Sequence, residues 1–151
     1  MAKRRTWASA SGILLVCAIL LPGRFAGAQE TAKKEIFKAR LSPVPIDESM
    51  MATVAGAGSL TATLSGRRLT ITGTFEGLRS PATTAQIHRG PKGIPGPAIL
   101  DLTVTRAEKG EVTGSLLLTP DQVSDLRKER LYVQIQSERA PDGNLWGWIL
   151  P

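Results

Sequence analysis

From residue 35 to its end the chain is written in short runs of alternating apolar and polar residues, broken at close intervals by Gly, Pro and Asp. That rhythm sends successive side chains to opposite faces of an extended backbone, so it predicts strands that bury one face each. Residues 36–41 form the first, which Ser42-Pro43-Val44-Pro45 should end, because two prolines remove ladder donors. Residues 58–64 and 69–75 alternate on either side of Ser65-Gly66-Arg67-Arg68 and form a hairpin. Its inward set is Leu60, Ala62 and Leu64 against Leu69, Ile71 and Phe75 or Gly73, with the threonines solvated on the other face.

Residues 85–89 are a short strand ahead of the loop 90–97, G-P-K-G-I-P-G-P, which is too brief for a collagen-like repeat and reads as a proline-stiffened turn. Residues 99–105 and 111–118 make a second hairpin around Glu108-Lys109-Gly110. One helix follows: Thr119 caps it, Pro120 opens it, Gln122 completes a capping box, and Val123 and Leu126 form its buried stripe. Asp121 and Asp125 on that helix read as a solvated face. The last strands, 131–137 and 145–150, meet at the turn Ala140-Pro141-Asp142-Gly143. About eight short strands and one short crossover helix fit an all-β, Greek-key antiparallel sandwich, with a barrel as the alternative.

The N-terminus has a different grammar. Met1-Ala2-Lys3-Arg4-Arg5 is basic, residues 12–21 are apolar, Pro22-Gly23 breaks the run, and Ala26-Gly27-Ala28 offers the small residues a signal peptidase needs. The apolar run falls short of the roughly 18 residues that span a bilayer, so residues 1–28 are expected to be a cleaved signal peptide, with an uncleaved anchor as the alternative. Cys17 follows Val16 inside the apolar run, which rules against lipidation. Residues 29–34 are polar and lysine-rich and read as a flexible leader, and residues 35–151 as a single domain.

Removing the signal changes the charge picture. The whole chain carries +6, but without the four basic residues of the signal, fifteen basic side chains face thirteen acidic ones. Nucleic acid and anionic membrane surfaces lose their attraction. The single cysteine leaves with the signal, so the exported domain has no disulfide partner and must hold through its core, in the periplasm or outside the cell.

From residue 85 onward the features come in a specific order: A-Q-I-H-R-G-P, P-A-I-L-D-L, G-S-L-L-L-T-P-D-Q-V-S-D-L, L-Y-V-Q-I-Q-S, then A-P-D-G-N-L-W-G-W-I. This resembles the CHRD domain, named after chordin and found in many secreted bacterial proteins. The resemblance covers residues 37–151 and implies an immunoglobulin-like β-sandwich. The family typically carries a His-Ile-His strand and a Tyr-Val-Asn-Ile-His strand; here those positions hold Gln86-Ile87-His88 and Tyr132-Val133-Gln134-Ile135-Gln136. The family's Gly-Glu-Ile-Arg-Gly-Gln-Ile end becomes Gly143-Asn144-Leu145-Trp146-Gly147-Trp148-Ile149.

These departures govern the chemistry. Zinc or copper needs three or four nitrogen or sulfur donors, and a glutamine amide is a poor ligand, so one histidine predicts no metal and no other cofactor. With a sole histidine and no G-x-S-x-G, no catalytic constellation is visible. Period-two alternation turns Ile87, Val133, Ile135, Leu145 and Ile149 inward. It turns Gln86, His88, Tyr132, Gln134, Gln136, Trp146 and Trp148 to the opposite face. If those strands are neighbours, Gln86, His88, Tyr132, Gln136, Trp146 and Trp148 share a surface suited to a protein or carbohydrate ligand. Two readings stay open for each aromatic group: His88 as a loop-pinning hydrogen bonder or a site residue, and the tryptophans as packed or as binding. The expectation is a non-catalytic exported module that binds a ligand or serves structurally, against a metal-binding or superoxide-dismutase-like domain with a degenerate histidine site.

Overall fold

The computed structural model describes residues 33–45 and 47–151. The expected signal peptide and most of the expected leader lie outside those residues; Lys34, assigned to the leader, opens the first strand. In chain order the elements are β1 (Lys34–Pro43), β2 (Ala57–Ser65), β3 (Arg68–Glu76), β4 (Ala82–Arg89), β5 (Ala98–Val104), β6 (Gly110–Leu117), α1 (Pro120–Arg127), β7 (Leu131–Ser137) and β8 (Ala140–Trp148). All strand pairings are antiparallel, and after β4 and β5 the chain brings β6 back beside β3, the swirl of a Greek key.

The expected sandwich is corrected to a closed eight-strand barrel in the order β1-β2-β3-β6-β5-β4-β7-β8. Two four-strand walls, β1-β2-β3-β6 and β5-β4-β7-β8, meet at two narrow seams. At one seam β5 and β6 pair only at Thr103↔Thr113 and Val104↔Val112. The other is made by β1, which stays with β2 as far as Leu41 and then gives Ser42 and Pro43 to Trp146 and Leu145 of β8. Lys38 and Leu150 add reciprocal backbone bonds of 2.7 and 2.8 Å. The strand expected to stop at Leu41 thus runs two residues further. Pro43 is tolerated because it ends the strand, where a missing donor breaks no ladder.

The alternation decides what fills the barrel. Phe37, Leu41, Leu60, Ala62, Leu64, Leu69, Ile71, Ile87, Val112, Val133, Ile135, Leu145 and Ile149 are all buried in one continuous core. Burying each large side chain stabilises by roughly 1.5–3 kcal/mol. α1 has the expected cap, with Gln122 N–H donating to Thr119 Oγ1 at 3.2 Å and Thr119 N–H to Gln122 Oε1 at 2.9 Å. Val123 and Leu126 join the core, while Arg127 holds the Glu35 carboxylate at 3.1 and 2.5 Å. Asp125 is not a solvated side chain as expected; it is half-buried and paired with Arg89.

A second correction concerns the last hairpin. Ser137 pairs with Ala140, so Glu138-Arg139 is the turn, and Ala140-Pro141-Asp142-Gly143 belongs to β8. Gly143, at φ 139, sits where the β7–β8 register slips. Asn144 stabilises this irregularity from a fully buried position. Its Oδ1 accepts from Ala55 N–H at 3.1 Å and its Nδ2 donates to Ser137 Oγ at 2.9 Å.

Candidate functional site

β4, β7 and β8 are neighbours, and their register arranges the outward side chains in rows. One row is His88, Tyr132, Trp148; the next is Asp101, Gln86, Gln134, Trp146, running from β5 across to β8; the third is Thr84, Gln136. All six sequence-predicted site residues therefore lie on one outer face of the barrel. They are not equally exposed, and the division between them is physical.

The His88 row is sealed. Tyr132 is fully buried and His88 is 8% exposed, against the expectation that both would look into solvent, and Gln134 is buried as well. The cover is the loop 90–97, which folds back over the row. Gly96 N–H donates to the Tyr132 hydroxyl at 3.0 Å, and that hydroxyl donates back to the Gly96 carbonyl at 3.2 Å. The same carbonyl takes His88 Nδ1 at 2.9 Å, and Trp148 Nε1–H reaches the Gly90 carbonyl at 3.2 Å. A Cβ on Gly96 would collide with the Arg89 carbonyl and one on Gly90 with the Ile94 carbonyl, so only glycine fits at either place.

Because Nδ1 faces an oxygen that can only accept, Nδ1 must carry a proton. Nε2 is buried without a hydrogen-bond partner. Of the two readings for His88, the geometry is that of a residue pinning a loop. Its ring stacks on Tyr132 at 5.0 Å, Tyr132 lies 4.7 Å from Trp148, and Trp148 meets Trp146 edge-on at 4.7 Å. Such contacts contribute about 0.5–1.5 kcal/mol each beyond the area they bury. The tryptophans fall between the two expectations: both are half-buried, Trp148 tied to the loop and Trp146 at the end of the cluster nearest the open rows.

The other half of the face is uncovered and polar. Thr84 Oγ1 donates to Gln136 Oε1, Gln136 Nε2 donates to Gln86 Oε1 at 3.3 Å, and Gln86 Nε2 donates to Asp101 Oδ1 at 2.8 Å. A terminal carboxylate can only accept, so each amide upstream must turn its nitrogen toward Asp101 and its oxygen away. Gln134, between Gln86 and Trp146 in register, instead donates to the Asp142 carbonyl at 2.8 Å. Thr84 and Asp101 were missed in the sequence. Alternation marks both as outward, yet only cross-strand register shows that they terminate the amide chain.

Among the described residues no group of three His, Cys, Asp or Glu side chains could hold a metal ion. A concavity of about 810 Å³ lies on the opposite wall, over β1, β2, β3 and β6, lined by Lys38, Arg40, Ser59, Thr61, Thr74 and Glu111. It has hydroxyls but no aromatic ring.

The family model of the CHRD domain matches residues 37–149, which takes in every strand but the first residues of β1, and all of the face just described. No curated protein and no solved structure matches the chain.

Proposed function

The chain belongs to the CHRD domain family, and from that premise we propose that it is an exported, non-catalytic binding module that engages its ligand through the open half of the β4-β7-β8 face. Membership supports a non-enzymatic module of that family. The observation that carries the binding reading is the contrast within one face. Three hydrogen-bonded side chains and a glycine loop close one half, while the half around Gln86, Gln136 and Trp146 is held in a fixed arrangement by its own hydrogen bonds and left open. Preorganised groups cost little further entropy on binding, which is what a recognition surface needs. Export is supported by the three-part N-terminus. An apolar interior and a largely polar exterior, the reverse of a lipid-spanning barrel, support a domain that works in water.

The test has two parts. Fractionation of the expressing cell should find the chain outside the cytoplasm with Gln29 as its first residue. A photo-crosslinking residue at Gln136 should yield a discrete adduct in that cell, while the same residue at Thr72, on the opposite wall, should not. Retention in the cytoplasm, or equal labelling from both positions, overturns the reading.

A further inference from the structure

We propose that the ligand of this open half-face is a neutral polysaccharide, a deepening that rests on the binding reading above. A sugar ring offers a weakly polar face of C–H bonds and, around its edge, hydroxyls that each donate and accept. The open half-face is the complement of that object. Trp146 presents an indole at one end, half-buried and so fixed in place by Tyr132 and Trp148 behind it. Beside it, each amide of the Gln136–Gln86 chain spends one N–H and one lone pair on its neighbours, leaving one donor and one acceptor free. Asp101 keeps a second carboxylate oxygen for a pair of neighbouring hydroxyls, an arrangement stronger than a neutral acceptor provides. Thus donors and acceptors alternate along a line on the same outer face as an aromatic platform, and their orientation is set before the ligand arrives.

Charge and size exclude the competing ligands. The only formal charge in the open rows is the negative one on Asp101, which repels uronate or sulfated chains. A stable protein partner needs roughly 800 Å² per side around an apolar centre. The exposed large apolar side chains among the described residues are Ile36, Met51, Ile94 and Leu117, and none of them is on β4, β5, β7 or β8. A polymer chain, which gains affinity by repeating small contacts, suits a narrow row of this kind.

The experiment is calorimetric titration of the exported protein with cellohexaose, laminarihexaose, maltohexaose, xylohexaose and chitohexaose, with polygalacturonate as the charged comparator. At least one neutral hexaose is expected to bind, to quench or shift tryptophan emission, and to do so at least 10-fold more tightly than polygalacturonate. Trp146→Ala should weaken that binding at least 10-fold and Asp101→Asn several-fold, whereas Thr72→Ala should leave it unchanged. Should Trp146→Ala fold poorly, the exposed Asp101→Asn and the rim variant Gln136→Ala carry the test. Binding of none of the hexaoses, binding indifferent to these variants, or preference for polygalacturonate overturns the polysaccharide proposal. In the first case a discrete adduct at residue 136 keeps the binding reading, whereas absence of that adduct overturns both.

Discussion

The two walls of the barrel obey the same alternation and use it differently. On the β1-β2-β3-β6 wall, Leu60, Ala62 and Leu64 face in while Ser59 and Thr61 are exposed, and the facing strand repeats the scheme with Leu69 and Ile71 against Thr70 and Thr72. On the other wall, β7 is buried at six of its seven positions, because Tyr132 and Gln134 are covered on the outside while Val133 and Ile135 are packed on the inside. A strand face is therefore solvated only when nothing folds back over it. The glycine-proline loop makes part of one outer face into a second, smaller core, and the remainder of that face stays uncovered and polar.

The sharpest way to break this comparison is to remove the same kind of outward side chain from each wall. Tyr132→Ala should cost about 3–5 kcal/mol, as loss of a buried aromatic does. Thr72→Ala should stay within about 0.5 kcal/mol. Urea denaturation of both decides it; equal costs would mean that β7 has an ordinary solvated face. Next in size, Tyr132→Phe keeps the ring but deprives the Gly96 N–H of its acceptor, an expected loss of about 1–3 kcal/mol. Hydrogen exchange should quicken at Gly96 and along the 90–97 loop and leave β2 and β3 as they were.

Thr119→Ala, at the cap of the helix that links the walls, should cost about 1 kcal/mol by thermal unfolding without altering exchange in that loop. The smallest effect belongs to Glu35. Its hydrogen bond from Arg127 holds the carboxyl below its ordinary value of 4.5, so the ionised form is favoured in the folded chain. Its contribution is present above the ordinary value and is lost as pH falls through the lowered one. The gap in thermal midpoint between the wild type and Glu35→Gln should thus be greatest near neutral pH and narrow progressively as the solution is made more acidic than the ordinary value, and added salt should shrink it because the pair is exposed.

The strands and the capped helix were legible because they are local: alternation, a Thr-Pro-x-Gln start and turn residues reside in neighbouring positions. Even so, the last turn was misplaced. Ala140-Pro141-Asp142-Gly143 has strong turn chemistry, while Glu138-Arg139 has none; it is the buried Asn144, bonded to Ala55 and Ser137, that fixes the strand there. Sandwich and barrel share one inside-outside pattern, and the choice between them lies in two short seams, one of which, joining Ser42 and Pro43 to Trp146 and Leu145, is non-local. The outward set of site residues was likewise readable, but not its division. That Gly96 reaches His88 and Tyr132 depends on how a loop folds over two strands, and the ordered amide chain depends on register between strands far apart in sequence.

Pairing the first strand with the last has a consequence for assembly. Ser42 and Pro43 wait for Leu145 and Trp146, more than a hundred residues later, so the ring cannot shut until nearly the whole polypeptide is available. Contacts between such distant segments make for slow folding, since the entropy of bringing the ends together is spent before the contacts form. Until then β1 exposes one unpaired edge, and closure then covers part of it, leaving free only the lengths of strand beyond the two short seams. Closure late in folding thereby falls to the few backbone pairs of the seam and to the core beneath them.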